Sequence, residues 1–446
     1  MNDPKRNGIT VIGAGLAGAE AAWQISQFGI PVRLFEMKPH KKSPAHHADT
    51  YAELVCSNSL RADQVTNGVG LLKHEMRLLD SLIIRCADAT RVPAGGALAV
   101  DRDDFSNLVT QSIKDNNLIT VINEEVKAIP DDGIVIVATG PLTDEDMYRS
   151  ILNKVGDDAL HFFDAAAPII HSESIDRSVV FAASRYGKGG DDYLNSPMNK
   201  EEYDAFYYAL IEAELADVKD FDKETVFEGC MPIETMAKRG YDTIRFGPLK
   251  PVGLLDPRTG EQPYACIQLR QDNHSASMYN IVGFQTRLKF KEQERVFRMI
   301  PGLQNAEFFR YGVMHRNTYL RSPKVLTERY NMITDSNVYL AGQITGVEGY
   351  VESAGSGLLA GIYAATQYLE AGELDAISDQ TMLGAMASYI SDPEVSKRFQ
   401  PMNANFGVIP PMDRRIKNKK ERYEAYAERA LAQVSIFKEN ISRLQK

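Results

Sequence analysis

Residues 8–18 read GITVIGAGLAG, and this stretch carries the strongest fold signal in the chain. Its apolar residues predict a buried strand, and the glycines that follow have the GxGxxG spacing that joins a strand to a helix. The helix is predicted to run through Phe28, and Gly29 ends it. A second strand at residues 31–35 ends at Glu36, where a carboxylate is expected to bind the ribose of a dinucleotide. The stretch therefore predicts a βαβ unit that binds a dinucleotide.

Each glycine of the motif has its own role in such a unit. Gly13 permits the tight turn, Gly15 lets the backbone approach a pyrophosphate, and Gly18 allows the helix to pack closely on the strand. The helix N-terminus then faces the negative charge of the phosphates. The predicted nucleotide-binding residues of this unit are Gly13, Ala14, Gly15, Leu16, Ala17, Gly18 and Glu36.

Later segments indicate which dinucleotide is bound. Residues 134–138 and 337–340 form apolar strands, and each runs into a glycine, Gly140 or Gly342. Both strands resemble the later strands of the glutathione-reductase-like fold that binds FAD, and no second GxGxxG is present. The glycine-rich stretch 346–357 then opens a helix whose N-terminus stabilises negative charge on a reduced flavin. The FAD contacts predicted here are Gly342, Gln343, Gly349, Tyr350 and Ser353.

The pattern predicts an α/β chain in three segments. Residues 1–155 and 326–446 form two parts of an FAD-binding Rossmann domain, and residues 156–325 form an inserted α+β substrate domain. The insertion is predicted to contain a polar helix at residues 200–216 and strands at residues 226–230, 243–246, 264–270 and 278–284. The last helix has apolar residues at three- and four-residue spacing from Tyr423 to Leu444, which predicts a stripe that faces the core.

Composition excludes several classes of protein. The 446 residues are 44% hydrophobic and carry a formal net charge of −10. No apolar run reaches the roughly 20 residues of a membrane span, and the polar N-terminus is unlike a signal peptide, so we expect a cytoplasmic protein. Four scattered cysteines fit neither a disulfide scaffold nor a zinc site. The acidic charge opposes nucleic-acid binding except through a local basic patch. One candidate patch comprises Arg414, Arg415, Lys417, Lys419, Lys420 and Arg422.

Five further stretches identify a family. They are residues 53–61 (ELVCSNSLR), 229–234 (GCMPIE), 246–253 (FGPLKPVG), 311–318 (YGVMHRNT) and 342–354 (GQITGVEGYVESA). With the glycine motifs, they make the chain resemble, from end to end, the bacterial methylenetetrahydrofolate-tRNA-(uracil-5-)-methyltransferases, which are related to the GidA class. Gly355 stands where the family pattern has alanine, and Arg287 and Lys291 stand where it has smaller or neutral residues. These departures concern substrate binding and not the reaction.

The resemblance implies a reaction and its cofactors. The protein is expected to methylate C5 of the T-loop uridine of tRNA, which gives 5-methyluridine (ribothymidine). The carbon comes from 5,10-methylenetetrahydrofolate, and the electrons come from NADPH or NADH through FAD. The implied partners are therefore folate and the T-arm of tRNA. Neither a membrane nor a metal is expected.

The resemblance also implies roles for two cysteines. Uracil C5 is a poor nucleophile until a thiolate adds at C6, which is covalent catalysis. Cys230 is the expected nucleophile, and Cys56 is expected to lie near the flavin as a base or as a partner to the intermediate. The sequence leaves open which thiol has which role. Cys86 and Cys266 lie in no such motif, so we interpret them as buried and inert.

Polar residues of the same stretches are implied to position uracil or folate, because they can meet phosphate, a glutamate tail or base edges. They are Arg61, Lys250, Arg287, His315, Arg316 and Asn317. His46 and His47 have no acidic neighbour at metal-ligand spacing. We interpret both histidines as solvated loop residues and predict no metal.

Three alternatives stay open. A GidA-like enzyme that modifies the wobble uridine has a long C-terminal helical domain, which the stretch after Gln367 is too short to form. A flavin thiol oxidoreductase needs a CxxC-type pair and a second nucleotide fold. A non-catalytic, flavin-sensing RNA-binding protein would keep its function without either Cys56 or Cys230.

Overall fold

The computed structural model describes residues 8–156, 159–187, 190–216, 225–226, 231–370, 374–414 and 416–445, with the backbone alone at residues 159–165, 225–226, 315–316 and 397–398. Its helices are α1 (Leu16–Ser26), α2 (Gly68–Leu78), α3 (Leu82–Ala89), α4 (Arg102–Lys114), α5 (Glu145–Val155), α6 (Lys200–Glu212), α7 (Ile233–Lys238), α8 (Thr243–Phe246), α9 (Phe290–Phe297), α10 (Tyr350–Leu369), α11 (Met382–Ser391) and α12 (Lys419–Leu444).

The strands alternate with helices near both ends of the described chain and follow one another in its middle. They are β1 (Ile9–Ile12), β2 (Val32–Phe35), β3 (Ser59–Ala62), β4 (Arg91–Val92), β5 (Ala97–Val100), β6 (Ile119–Ile122), β7 (Val135–Val137), β8 (Ala159–Ala165), β9 (Ile169–His171), β10 (Phe181–Ala182), β11 (Tyr193–Met198), β12 (Thr225–Val226), β13 (Ala265–Gln271), β14 (Met278–Ile281), β15 (Phe308–Arg310), β16 (Met314–Leu320) and β17 (Val338–Leu340).

The sheet that carries the glycine-rich turn is parallel, with the strand order β17-β7-β1-β2-β6. Strands β1, β7 and β17 are entirely buried, as expected of a parallel sheet with helices on both faces. The strand order reverses at β1, which lies between β2 and β7. Ligands bind outside the carboxyl ends of the strands at such a switch point. The predicted glutathione-reductase-like fold class is confirmed.

Helices α1 and α10 pack against each other at very short range. A β-carbon at Gly357 would lie 2.1 Å from the carbonyl oxygen of Ala17, so only glycine fits there. An alanine at Gly355 would bring its β-carbon to 3.1 Å from Leu383, which is tighter than an ordinary contact. Helix α11 therefore narrows the space at Gly355, and an alanine there needs Leu383 to move by a few tenths of an ångström.

The middle of the chain forms an antiparallel sheet with the order β10-β11-β13-β14-β9-β15, and smaller sheets have the orders β12-β8-β16 and β3-β5-β4. One hydrophobic core draws on residues 9–151 and 319–441, and another draws on residues 167–306. The division into two cores supports the predicted domain boundaries near residues 155 and 325. These boundaries stay a prediction. None of the helices in the described ranges combines the length and the apolar character needed to cross a lipid bilayer.

One predicted strand is wrong. Residues 243–246 form helix α8, in which the amide of Phe246 donates to the carbonyl oxygen of Asp242 at 2.9 Å. Apolar and polar residues that alternate over so few positions fit one helical turn as well as a strand. The predicted strand at residues 226–230 lies largely outside the described residues. The apolar stripe of the last helix is confirmed, since Tyr426, Ala427, Ala430, Val434, Phe437 and Ile441 are buried.

Candidate functional site

A long cavity lies at the carboxyl ends of the parallel strands. Its empty volume, including the open mouth, is about 1440 Å³. Its lining runs from the glycine turn at Gly13 and Gly15 to the start of α10 at Tyr350, as expected of a site for an extended dinucleotide. The predicted site residues that line it are Gly13, Gly15, Leu16, Ala17, Glu36, Cys56, Asn317, Gly342, Gln343, Tyr350 and Ser353.

The glycines of the first turn differ in what surrounds them. Gly13 has a φ of +96°, which favours glycine. A β-carbon at Gly18 would lie 1.8 Å from the carbonyl oxygen of Gly13, whereas one at Gly15 would meet nothing within 4 Å. Gly18 therefore serves packing of the turn, and Gly15 faces the cavity, as a phosphate cradle requires.

Glu36 is buried at the end of β2, beside the same turn. Its carboxylate accepts the backbone amides of Ala14 at 2.8 Å and Lys38 at 3.0 Å. Two amide donors fix the orientation of the carboxylate within the cavity lining. Ala14 does not itself line the cavity, and it contributes through this hydrogen bond.

The interpretation of His46 as a solvated residue is wrong. His46 lines the cavity, and its Nδ1 lies 2.6 Å from Ser43 Oγ. Lys38 also lines the cavity, and its ammonium donates to the carbonyl oxygen of Thr50. Burial lowers the pKa of both His46 and Lys38. His47 is exposed, as predicted, so neighbouring histidines have different environments.

The second glycine-rich region also contributes to the lining of the cavity. Gly342 and Gly349 have φ angles of +88° and +122°, and Gly349 is the N-cap of α10. Tyr350 and Ser353, in the first turn of α10, line the cavity. The N-termini of α1 and α10 therefore both adjoin the cavity and favour negative charge there.

Cys56 lies in a segment that we call the Cys56 loop (residues 53–58). The backbone amide of Cys56 donates to the hydroxyl oxygen of Tyr350 at 2.6 Å. Burial raises the pKa of Tyr350, so this hydroxyl stays neutral at physiological pH. Cys56 forms no disulfide within the described part of the chain, and its side chain is partly exposed to the cavity.

Three arginines from distant segments hold the Cys56 loop. Arg102 donates to the carbonyl oxygen of Leu54, and Arg310 donates to that of Val55 at 3.1 Å. Arg270 donates to Ser57 Oγ at 2.6 Å and to Asn58 Oδ1 at 2.9 Å. Each arginine contacts the loop within one or two residues of the thiol.

The charge around the loop is positive overall. Arg102 pairs with the buried Asp272 at 2.9 Å, and Arg270, which is only 7% exposed, has no carboxylate partner within the described residues. Positive charge beside a thiol stabilises its thiolate, the nucleophilic form. In contrast, burial raises the pKa of Cys86 to about 11 and that of Cys266 to about 12. Only Cys56, among these described thiols, is placed for chemistry.

The other predicted substrate residues are dispersed. Asn317 is buried on β16 and lines the cavity, whereas Arg61 pairs with the fully buried Glu352. Lys250 is exposed, and Arg287 is held by its amide, which donates to Glu234 at 3.0 Å. Neither Lys250 nor Arg287 lines the cavity.

Of the remaining predicted residues, His315 and Arg316 are described by their backbones alone, and Cys230 is not described. The backbones of His315 and Arg316 precede Asn317 on β16 and pair with β8. Cys230 lies outside the described residues. Ile233, close after it in sequence, donates its amide to the carbonyl oxygen of Gln285 at 2.7 Å.

Sequence reasoning missed the arginines around Cys56. Arg270 alone has a usable signal, because it lies within strand β13 (Ala265–Gln271), and a charged residue buried in a strand must have a polar partner. Arg102 and Arg310 lie in polar surroundings along the chain, where a charge is ordinary. Their role follows only from the contacts.

One group of possible metal ligands lies elsewhere. Asp101, Asp104 and His274 are close together in the described part of the chain, with Asp104 and His274 exposed. Asp101 is already engaged, because it accepts the amides of Asp103 at 3.0 Å and His274 at 2.7 Å. The predicted absence of a metal stays a prediction.

The fold and the cavity define a dinucleotide-binding protein of the glutathione-reductase-like class. The family model for glucose inhibited division protein A (GIDA) matches residues 8–372. The methylenetetrahydrofolate-tRNA-(uracil-5-)-methyltransferase TrmFO of Acetivibrio thermocellus is 62% identical over 98% of this chain and 99% of its own length. The TrmFO of Staphylococcus aureus strain MRSA252 is 58% identical over 97% of this chain and 99% of its own length.

The solved structures agree on the fold. Aquifex aeolicus GidA, in its form II crystal, superposes with a TM-score of 0.65 at 16% identity, over 97% of this chain and 75% of GidA. The chain therefore belongs to the TrmFO family of methylenetetrahydrofolate-tRNA-(uracil-5-)-methyltransferases, within the wider GidA family.

Proposed function

We propose that this protein methylates C5 of the T-loop uridine of tRNA, with 5,10-methylenetetrahydrofolate as the carbon donor and NADPH or NADH as the electron donor through FAD. The observation that carries the proposal is the position of Cys56. It lines the same cavity as the dinucleotide turn, and arginines surround its loop. A reactive thiol beside a flavin site is what folate-dependent methylation of a uracil requires.

The residues of the cavity fit FAD. Gly15 leaves open space at the N-terminus of α1 for a pyrophosphate, and Glu36 is oriented for a ribose. Tyr350 and Ser353, at the N-terminus of α10, lie where negative charge is stabilised. When bound, FAD supplies the redox chemistry of the methylation. The protein supplies the binding geometry and the polar environment.

The proposed roles of the chain's own residues follow from this arrangement. Cys230 adds to C6 of uracil as a thiolate, which pushes electrons to C5. Cys56 assists the removal of the C5 proton, because the arginines of its loop favour the thiolate form that accepts a proton. Asn317, buried in the cavity wall, offers an amide to a base edge or to folate.

The direct test is an assay for 5-methyluridine in unmodified tRNA. The purified protein is supplied with NADPH and either methylenetetrahydrofolate or S-adenosylmethionine. We expect 5-methyluridine at the T-loop position only with methylenetetrahydrofolate. Product formed with S-adenosylmethionine alone, or product at the wobble position, would contradict the proposal.

The roles of the two thiols have a separate test. A T-arm RNA that contains 5-fluorouracil traps the covalent adduct, since fluorine at C5 cannot leave as a proton. Mass spectrometry is expected to find the RNA on Cys230, and Cys230→Ala is expected to abolish methylation while FAD stays bound and NADPH still reduces it. RNA trapped on Cys56 would exchange the two roles. RNA on neither thiol would overturn the covalent mechanism.

A further inference from the structure

An exposed surface that combines aromatic rings with cations lies on the middle part of the chain. We call it the Tyr186 surface, and it consists of Arg185, Tyr186, Phe246, Lys250, Val252 and Leu255. Tyr186 is 61% exposed and Phe246 is 68% exposed. Large aromatic side chains at such exposure lose hydrophobic stabilisation, which marks the surface as one that binds a partner.

The Tyr186 ring is held in place by the backbone that it packs on. Tyr186 has a φ of +58°, which is uncommon for a bulky residue, and its amide donates to the carbonyl oxygen of Gly253 at 3.0 Å. A β-carbon at Gly253 would lie 2.8 Å from the Tyr186 ring. The ring therefore packs on the bare backbone of Gly253, and the rest of the side chain is left exposed.

The surface follows strand β13 toward the reactive thiol. Arg245, next to Phe246, donates to the carbonyl oxygen of Tyr264, and the amide of Cys266 donates to the carbonyl oxygen of Leu249 at 3.0 Å. Further along, Arg185 donates to Gln268 Oε1 at 2.9 Å and to the carbonyl oxygen of Val252 at 3.0 Å. The contacts thus occur at residues 264, 266 and 268 in turn.

The next residue of that series is Arg270, which donates to Ser57 and Asn58 of the Cys56 loop. Alternate residues of a strand share a face and lie roughly 7 Å apart. Gln268, at the Val252 end of the surface, is therefore one such step from the residue that holds the Cys56 loop. The Phe246 end lies roughly 20 Å from Arg270 along the strand.

Lys250 is exposed, and Arg185 is partly exposed, with its Nε and Nη1 already donating within the protein. Lys250 and Arg185 form no ion pair with a carboxylate in the described ranges of the chain. Arg258 nearby is neutralised by Asp256 at 2.8 Å, so it adds little. The exposed Lys250, with the partly exposed Arg185, places positive charge beside exposed rings, which is complementary to phosphates and flat bases. This matters in a chain whose formal net charge is −10.

We infer that the Tyr186 surface binds the unpaired nucleotides of the RNA substrate and leads the target uridine to the cavity. This inference rests on the proposed function, because it names where the RNA of that reaction docks. Tyr186 and Phe246 stack on bases, which unpaired loops expose and base-paired stems do not. Arg185 and Lys250 contact the phosphates between them.

The test compares matched variants for binding of a fluorescein-labelled T-arm stem-loop RNA, measured by fluorescence anisotropy. Tyr186→Ala and Phe246→Ala are each expected to weaken binding about tenfold. Lys250→Ala and Lys250→Glu should weaken it and flatten its salt dependence. Tyr208→Ala is the control, because Tyr208 is 55% exposed on α6 and belongs to no such surface. Flavin content, and its reduction by NADPH without RNA, should not change.

The outcomes separate the surface from the reaction. Unchanged RNA affinity in all the Tyr186, Phe246 and Lys250 variants overturns the surface, and so does an equal loss in Tyr208→Ala. An assay for 5-methyluridine with the wild-type protein accompanies these binding measurements. If the wild type methylates tRNA and the variants bind as it does, only the surface is wrong. If the wild type makes no 5-methyluridine while the variants lose RNA binding, the surface stands and the proposed function fails.

Discussion

The glycine turn at residues 13–18 and the Cys56 loop line one cavity, yet they are held in different ways. The turn is fixed largely within its own βαβ unit, since Gly18 packs on Gly13 and Glu36 accepts the amide of Ala14. The Cys56 loop is fixed by residues far along the chain. These residues are Arg102, Arg270, Arg310 and Tyr350.

These two modes of support show where each property of the site is encoded. The nucleotide end of the dinucleotide site, formed by the glycine turn and Glu36, depends on a geometry that fewer than forty consecutive residues determine. The reactivity of the thiol depends on charges that meet only when distant segments assemble. Changes in the turn should therefore affect cofactor content, and changes around the loop should affect chemistry. Four substitutions separate these effects.

The largest effect is expected from Cys56→Ala. Loss of a positioned base or nucleophile lowers the rate by about a thousandfold. The amount of 5-methyluridine formed in single-turnover reactions should fall accordingly, while the flavin absorbance per protein stays at the wild-type level. The control is Cys86→Ala, which removes a buried thiol outside the cavity. Full activity in Cys56→Ala would show that the loop does not take part in the reaction.

The next effect concerns the turn itself. Gly15→Val should abolish flavin binding and leave the fold intact, because a side chain there meets only the cavity. The matched change Gly18→Ala should instead destabilise the protein by about 3 kcal/mol or more, since its β-carbon overlaps the carbonyl oxygen of Gly13. Flavin absorbance and thermal denaturation distinguish the two. A Gly15→Val protein that keeps its flavin would contradict the assignment of the cavity.

A smaller loss is expected from Arg270→Gln. The substitution removes a positive charge and the donors to Ser57 and Asn58, so the Cys56 loop shifts and methylation slows by about ten- to a hundredfold. The diagnostic measurement is alkylation of Cys56 by iodoacetamide as a function of pH, in a Cys230→Ala background. The alkylation profile should move to higher pH. Arg270→Lys should restore part of the shift, because it keeps the charge but not the paired donors. An unchanged profile in Arg270→Gln would mean that the arginine only supports the fold.

The smallest effect on activity, but a clear one on stability, is expected at Lys73. Its buried ammonium donates to the carbonyl oxygens of Leu60 and Ala62, just beyond the Cys56 loop. Burial lowers the pKa of Lys73 to about 7. The unfolded chain therefore holds this proton up to a higher pH than the folded chain does. The resulting stabilisation is complete above the ordinary lysine pKa and is lost as the pH falls through about 7.

Urea denaturation of wild type and Lys73→Met between pH 7 and 10 tests this. As the pH rises, the free energy of unfolding of the wild type should increase relative to that of Lys73→Met, by at most about 1.4 kcal/mol per pH unit. The comparison cancels the opposite slope expected from Glu75, whose pKa burial raises to about 8. A difference that does not vary with pH would show that Lys73 keeps its proton in the folded protein.

The sequence determined the family, the βαβ unit from Ile9 to Glu36 and the fold class, because strand, turn and helix signals are local and have a fixed spacing. It also placed Cys56, Tyr350 and Asn317 among the functional residues, and the structure brings these into one cavity. It failed at residues 243–246, where a few alternating residues fit either a helical turn or a strand.

Tertiary structure alone decided the environment of each functional group. His46 lines the cavity and His47 does not, although the two histidines are adjacent in the same loop. Arg270 acts on Cys56 only because β13 brings it against a loop more than two hundred residues earlier in the chain. Burial and charge are sums over neighbours in space, and such neighbours leave no fixed spacing along the chain. For that reason the sequence identified the thiol, and the fold determined what surrounds it.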